Sequence, residues 1–101
     1  MSRYGIIMTI GRCVIELRLY SPNSLKEKRR ILKSLIEKLK NRFNISIAEV
    51  GKNDLWQSAL IGIAIVSKDK TFANEVINKV IDFIDNFDSV EIVDIDIEMI
   101  D

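Results

Sequence analysis

Three groups of side chains in this 101-residue chain have types and spacings that can do chemistry. Asp94, Asp96 and Glu98 alternate with apolar residues near the C-terminus. On a strand they form a carboxylate ladder with about 7 Å between successive members. Such a ladder is a weak candidate for Mg²⁺ or Ca²⁺ binding and for metal-dependent catalysis. A second group, Lys26, Lys28, Arg29, Arg30, Lys33 and Lys40, crowds the stretch from Leu25 to Arg42, where eight basic residues stand against two acidic ones. The third group surrounds the single tryptophan, in Asn53-Asp54-Leu55-Trp56-Gln57. The chain has no histidine and one cysteine, Cys13. That removes the imidazole base, Ser-His and Cys-His pairs and His-ligated zinc. A lone cysteine forms no intramolecular disulfide, which suits a reducing compartment. There is neither a glycine-rich phosphate loop nor a dinucleotide fingerprint.

The elements that must carry these groups follow from hydrophobic periodicity. Cys13, Ile15, Leu17 and Leu19 alternate with Arg12, Glu16 and Arg18, as in a half-buried strand ended by Ser21-Pro22-Asn23. Ser24 and Glu27 form a capping box that opens a helix, with Leu25, Leu32, Leu35, Ile36, Leu39 and Phe43 at helical spacing and Asn41 to Asn44 at its end. Ile45 to Val50 reads as a short strand, Gly51 to Asp54 as a turn, and Ala59 to Ser67 as a central strand. Asp69 is the expected N-cap of a second helix with an apolar stripe of Phe72, Val76, Val80, Phe83, Ile84 and Phe87. Val90 to Ile100 is the last strand, with Val93, Ile95, Ile97 and Met99 inward and a bulge expected at Ile92-Val93. The order strand, helix, strand, strand, helix, strand predicts an α+β, ferredoxin-like βαββαβ sandwich. Its antiparallel sheet has order 4-1-3-2, with both helices on one face. One domain accounts for residues 1–101, with residues 1–7 set apart as an N-terminal extension.

Within this frame each group has two readings. A formal net charge of zero conceals 11 basic and 4 acidic residues in 1–50, and 4 basic and 11 acidic in 51–101. The cations of the first helix begin in its first turn, where the helix dipole disfavours positive charge by roughly 0.3–1 kcal/mol each. One reading makes them phosphate contacts for nucleic acid. The other makes them a solvated lysine-rich face answered by acids elsewhere. Trp56, with Asp54 and Gln57 beside it, either stacks on a base or anchors a partner, or else closes the edge of a small core. The carboxylate ladder falls beside Arg12, Glu16 and Arg18 on the open sheet face, where cross-strand pairs account for it without a metal. The central strands lack the paired aromatics of an RNA-recognition-motif sheet, with Tyr20 at a strand end the only candidate. Cys13 shares the inward face and reads as a small core hydrophobe.

Four stretches, taken in order, resemble the YlxP-like family of small bacterial proteins. They are Ile15-Glu16-Leu17, Ser24 to Arg30, Phe43 to Val50, and Asp54 to Gln57 with Gly62 to Ser67. The similarity runs from about Met8 to the C-terminus, which leaves Met1 or Met8 as the start. It implies a ferredoxin-like fold and, because family members are often encoded beside transcription and translation factors, a role near RNA or the ribosome. It supplies no catalytic residue and no cofactor.

The expectation is a cytoplasmic, non-enzymatic binding module associated with RNA or the ribosome through its first helix. It has no small-molecule cofactor and no membrane segment, since the apolar run Ala59 to Val66 is far short of the ~20 residues a spanning helix needs. The alternative is a protein-interaction or homodimerising module that pairs basic and acidic surfaces. A divalent-cation enzyme ranks third.

Overall fold

The computed structural model describes Arg3, residues 8–20 and residues 22–101. The set-apart N-terminal residues, Arg3 excepted, and Ser21 in the first strand break lie outside the described residues. The elements are β1 (Thr9–Leu19), α1 (Leu25–Arg42), β2 (Ser46–Gly51), β3 (Ser58–Ser67), α2 (Lys70–Asp85) and β4 (Val90–Ile100). Every pairing is antiparallel and the sheet order is β2-β3-β1-β4. This is the ferredoxin-like arrangement read from the order of the elements.

The period-two pattern of β1 decides which side is which. Its odd residues Cys13, Ile15, Leu17 and Leu19 are buried against the helices with Ala59, Ile61, Ile63 and Ile65 of β3. Its even residues Arg12, Glu16 and Arg18 lie on the opposite, uncovered face. The expected bulge is present: Glu16 pairs with Asp94 and Leu17 with Ile92, which leaves Val93 as the extra residue. Val93 is consequently 54% exposed rather than inward, and Ile95 and Ile97 on the helix side of β4 are also exposed.

Both helices begin as their caps dictate. The Ser24 hydroxyl accepts from the Glu27 amide at 3.2 Å, and the Glu27 carboxylate accepts from the Asn23 amide at 2.7 Å, one residue before the cap. Asp69 accepts from the Phe72 amide at 2.8 Å. The buried stripes differ from the expected ones. In α1 they are Lys28, Leu32, Leu35 and Leu39, and in α2 Ala73, Ile77, Val80 and Ile84. The two sets share one spacing, in which the second, third and fourth members follow the first by four, seven and eleven residues. Phe72 is exposed, and small Ala73 takes the core position. The reason is close approach: a methyl group on Gly11 would lie 3.4 Å from the Ala73 Cβ and 3.3 Å from Ile77 Cδ1, so α2 rests almost on the backbone of β1.

Candidate functional site

The N-terminal turns of α1 and the β2–β3 loop meet at one end of the sheet, and the residue that joins them is Lys28. Its phase on α1 points it inward with Leu32 and Leu35, and it is 1% exposed. A lysine is tolerated there only because its ammonium is answered. Nζ lies 3.0 Å from the Glu49 carboxylate on β2, in an ion contact without hydrogen-bond geometry, and donates to the Lys52 carbonyl at 2.6 Å. Lys28 is therefore not a surface cation, contrary to the expectation that grouped it with the phosphate contacts. Burial has turned it into a strut between helix and hairpin.

Lys52 is the other end of the strut. Its φ of 59° lies in the left-handed region that a non-glycine residue seldom occupies. Three contacts hold it there: Lys28 Nζ and the Leu55 amide both donate to its carbonyl, and its own ammonium donates to the Glu16 carboxylate at 2.6 Å. The loop that follows is tied at its far side, where the Leu19 amide donates to the Gln57 carbonyl at 2.9 Å. Between these ties the loop presents Asp54, Leu55, Trp56 and Gln57, all exposed. Trp56 is 50% exposed and is not among the hydrophobics packed against the core cluster.

The remaining basic residues behave as a surface. Lys26, Arg29, Arg30, Lys33 and Lys40 are all exposed, and none forms an ion pair among the described residues. Lys26, Arg29, Arg30 and Lys33 share a shallow concavity with Ser24 and Glu27. The other cations of α1 face α2 instead: Lys38 sits 5.3 Å above the Phe87 ring and Arg42 5.7 Å above Phe83. The sequence groups Lys28 with the flank cations and leaves Lys38 and Arg42 outside that group. The packing divides the helix into a buried strut, an α2-facing pair and an open flank.

The carboxylate ladder lies at the opposite edge of the sheet. Asp96 and Glu98 flank Arg12 at 3.9 and 3.8 Å, as the cross-strand reading anticipated, while Asp94 faces Glu16 and has no ion pair among the described residues. No three His, Cys, Asp or Glu residues among the described residues are grouped to hold a metal ion. At the ends of β4, Arg18 holds Glu91, and Lys70 at 3.0 Å and Thr9 at 2.8 Å hold Asp101. These bonds keep both carboxyls below the usual carboxylate range, Glu91 chiefly through the hydrogen bond from Arg18 and Asp101 chiefly through that from Lys70. Cys13 is buried as expected, and its thiol is pushed up to about 11, first by desolvation and then by Asp96. It is no nucleophile in the native fold.

Fold and site together define a small ferredoxin-like α+β protein with a basic flank on α1 and an acidic row on the edge strand β4. The family profile described as "Protein of unknown function (DUF503)" matches residues 10–97, and the chain belongs to that family. It is 40% identical over 82 residues to the Bacillus subtilis (strain 168) protein named "Uncharacterized protein YlxP", an alignment covering 81% of this chain and 89% of that one. The YlxP-like resemblance seen in the four sequence stretches is thereby established. Among solved structures, the de novo designed protein Foldit4 superposes with a TM-score of 0.54 at 13% identity, covering 94% of this chain and 98% of that one. The de novo designed protein Ferredog-Diesel superposes at 0.45 with 10% identity, covering 88% and 83% of the two chains. The likeness to Foldit4 concerns the fold alone, and folds of this kind host many functions. No helix among the described residues is long and apolar enough to cross a membrane.

Proposed function

We propose that the protein is a non-enzymatic RNA-binding module, acting on structured RNA such as that of the ribosome through the open flank of α1. The observation that supports this reading is the set of exposed cations, Lys26, Arg29, Arg30, Lys33 and Lys40, without ion partners among the described residues. Selection for stability alone would put acids at this helix end. Phosphates are the partners that suit several unpaired guanidinium and ammonium groups in a row. Trp56 adds a stacking surface on a loop that Lys28 ties to the N-terminal turns of the same helix, near Lys26, Arg29, Arg30 and Lys33. The family supplies no activity of its own to set against this.

The test is binding to structured RNA and to ribosomal subunits across a salt series, with the fluorescence of the single tryptophan as a second signal. Affinity should fall with log salt by roughly 0.7–0.9 per phosphate contact. The triple variant Lys26→Glu/Arg29→Glu/Arg30→Glu should abolish binding, and Trp56→Ala should weaken it about 5- to 150-fold, the range of one lost stacking contact. Absence of binding at low salt, or binding untouched by the triple charge reversal, overturns the reading.

A further inference from the structure

The acidic edge has a different character, and among the described residues it is open. β4 is eleven residues long and terminal in the sheet, and no described residue pairs with its outer side. Edge strands of that length are normally shortened, covered, bulged or charged, and β4 relies on its bulge and one acidic row. Here the two faces are unlike. The helix-side face carries exposed Ile95 and Ile97, with exposed Val93 at the bulge beside them, although the residues of β1 that face the two isoleucines, Cys13 and Ile15, are sealed. The other face carries Asp94, Asp96 and Glu98, for which Arg12 is the only cationic partner among the described residues. Among the described residues the strand is therefore unpaired on its outer side, with an apolar row on one face and surplus negative charge on the other.

We infer that β4 accepts an extended segment of a partner protein as a fifth strand, one in which basic and apolar residues alternate. Strand addition satisfies the free backbone groups and leaves alternate side chains to give specificity. The guest's apolar residues then lie beside Val93, Ile95 and Ile97, and its lysines or arginines lie beside the acidic row. A second copy of this chain is a poor occupant. Antiparallel pairing of β4 with β4 keeps both acidic rows on the same sheet face and sets like charges opposite one another. A nucleic acid is repelled by the same row. The surface is separate from the flank of α1, so the two proposals stand or fall independently.

The probe is an eleven-residue acetylated and amidated peptide of alternating lysine and valine, read by anisotropy and by amide hydrogen exchange of Val90–Ile100 in the full chain. Binding should protect β4 amides from exchange. It should weaken roughly tenfold in Asp94→Asn/Asp96→Asn/Glu98→Gln and vanish when alternate peptide nitrogens are methylated. The Lys26→Glu/Arg29→Glu/Arg30→Glu variant should bind the peptide as well as the parent does. The inference is overturned if the methylated or an all-glutamate peptide binds equally, or if the triple acid variant binds unchanged. It is also overturned if outer β4 amides are already protected in the free chain, by its own residues or by a second copy detected in sedimentation.

Discussion

At one edge of the sheet β2 is short and lies beside α1. A buried lysine locks it to the helix, and the exposed charge is positive. At the other edge β4 is nearly twice as long, its apolar face only partly covered by α2, and the exposed charge is negative. Both edges belong to one antiparallel sheet built from two similar strand-helix-strand units, so topology does not explain the difference. Side chains do. On the β2 side the helix sends a long amphipathic residue down to the sheet. On the β4 side α2 sits close to β1, through Gly11 and Ala73, and covers Val90, Ile92 and Met99 of the outer strand while Ile95 and Ile97 stay exposed. One edge strand is tied to its helix by an internal ion pair, and the other keeps an exposed apolar row among the described residues.

The contrast is broken most severely from the middle. Ile61 is fully buried on β3, and Ile61→Ala should cost roughly 2–5 kcal/mol in urea unfolding, as a cavity among residues that cannot close it. Ile97→Ala on the exposed row of β4 should cost about 1 kcal/mol or less. Equal losses at the two positions would mean that β4 is covered after all. Next in size is the strut. Lys28→Met leaves Glu49 facing the interior without its counter-charge and should cost about 3 kcal/mol, near the low end for a broken buried pair because Glu49 keeps some access to water. The double variant Lys28→Met/Glu49→Leu should recover most of the loss. In Lys28→Met alone, Trp56 fluorescence should report a loosened loop before global unfolding. A lysine that contributes less than about 0.5 kcal/mol would be a surface residue, and the asymmetry between the edges would shrink accordingly.

Much of this could be read from the chain, for local reasons. The caps at Ser24 and Asp69, the alternation of β1 and the bulge near Val93 are short-range signals, and each is present. The buried stripes were harder because residue type competed with phase. Lys28 lies in register with Leu32, Leu35 and Leu39, but its charge argued for solvent, and only the approach of Glu49 and the Lys52 carbonyl explains its burial. Phe72 argued for the core by size, whereas Gly11 leaves room there only for Ala73. The candidate site shares this division. Its exposed cations and Trp56 were legible as types, while the strut and the left-handed Lys52 that bring them to one end depend on contacts 24 residues apart.

A smaller expected effect concerns Cys13, which faces the core between the two edges. Its sealed thiol, pushed up to about 11, should resist alkylation at pH 8 in the native state and react at the rate of opening. If it labels at the rate of a free thiol, β1 is not held as tightly at its centre as the buried row requires.

The smallest effect lies in the pins at the two ends of β4, and its sign can be worked out. Glu91 and Asp101 titrate lower in the folded chain than in the unfolded one, because Arg18 holds the first and Lys70 with Thr9 holds the second in their charged forms. At pH values above the unfolded carboxyl range, about 4, their contribution is complete. It is lost as pH falls through the lowered folded values, when the unfolded chain has already taken up the protons. Acidification below about pH 4 should therefore release the ends of β4, seen as faster amide exchange at Val90 and Ile100 while Ile61 stays protected. Both carboxyls are at the surface, so salt should weaken the effect. Thr9→Ala removes one of the two hydrogen bonds to Asp101 and should raise its midpoint toward the ordinary value without moving that of Glu91. If both midpoints move together, the two ends of β4 are coupled along the strand, and the open edge is stiffer than its exposure implies.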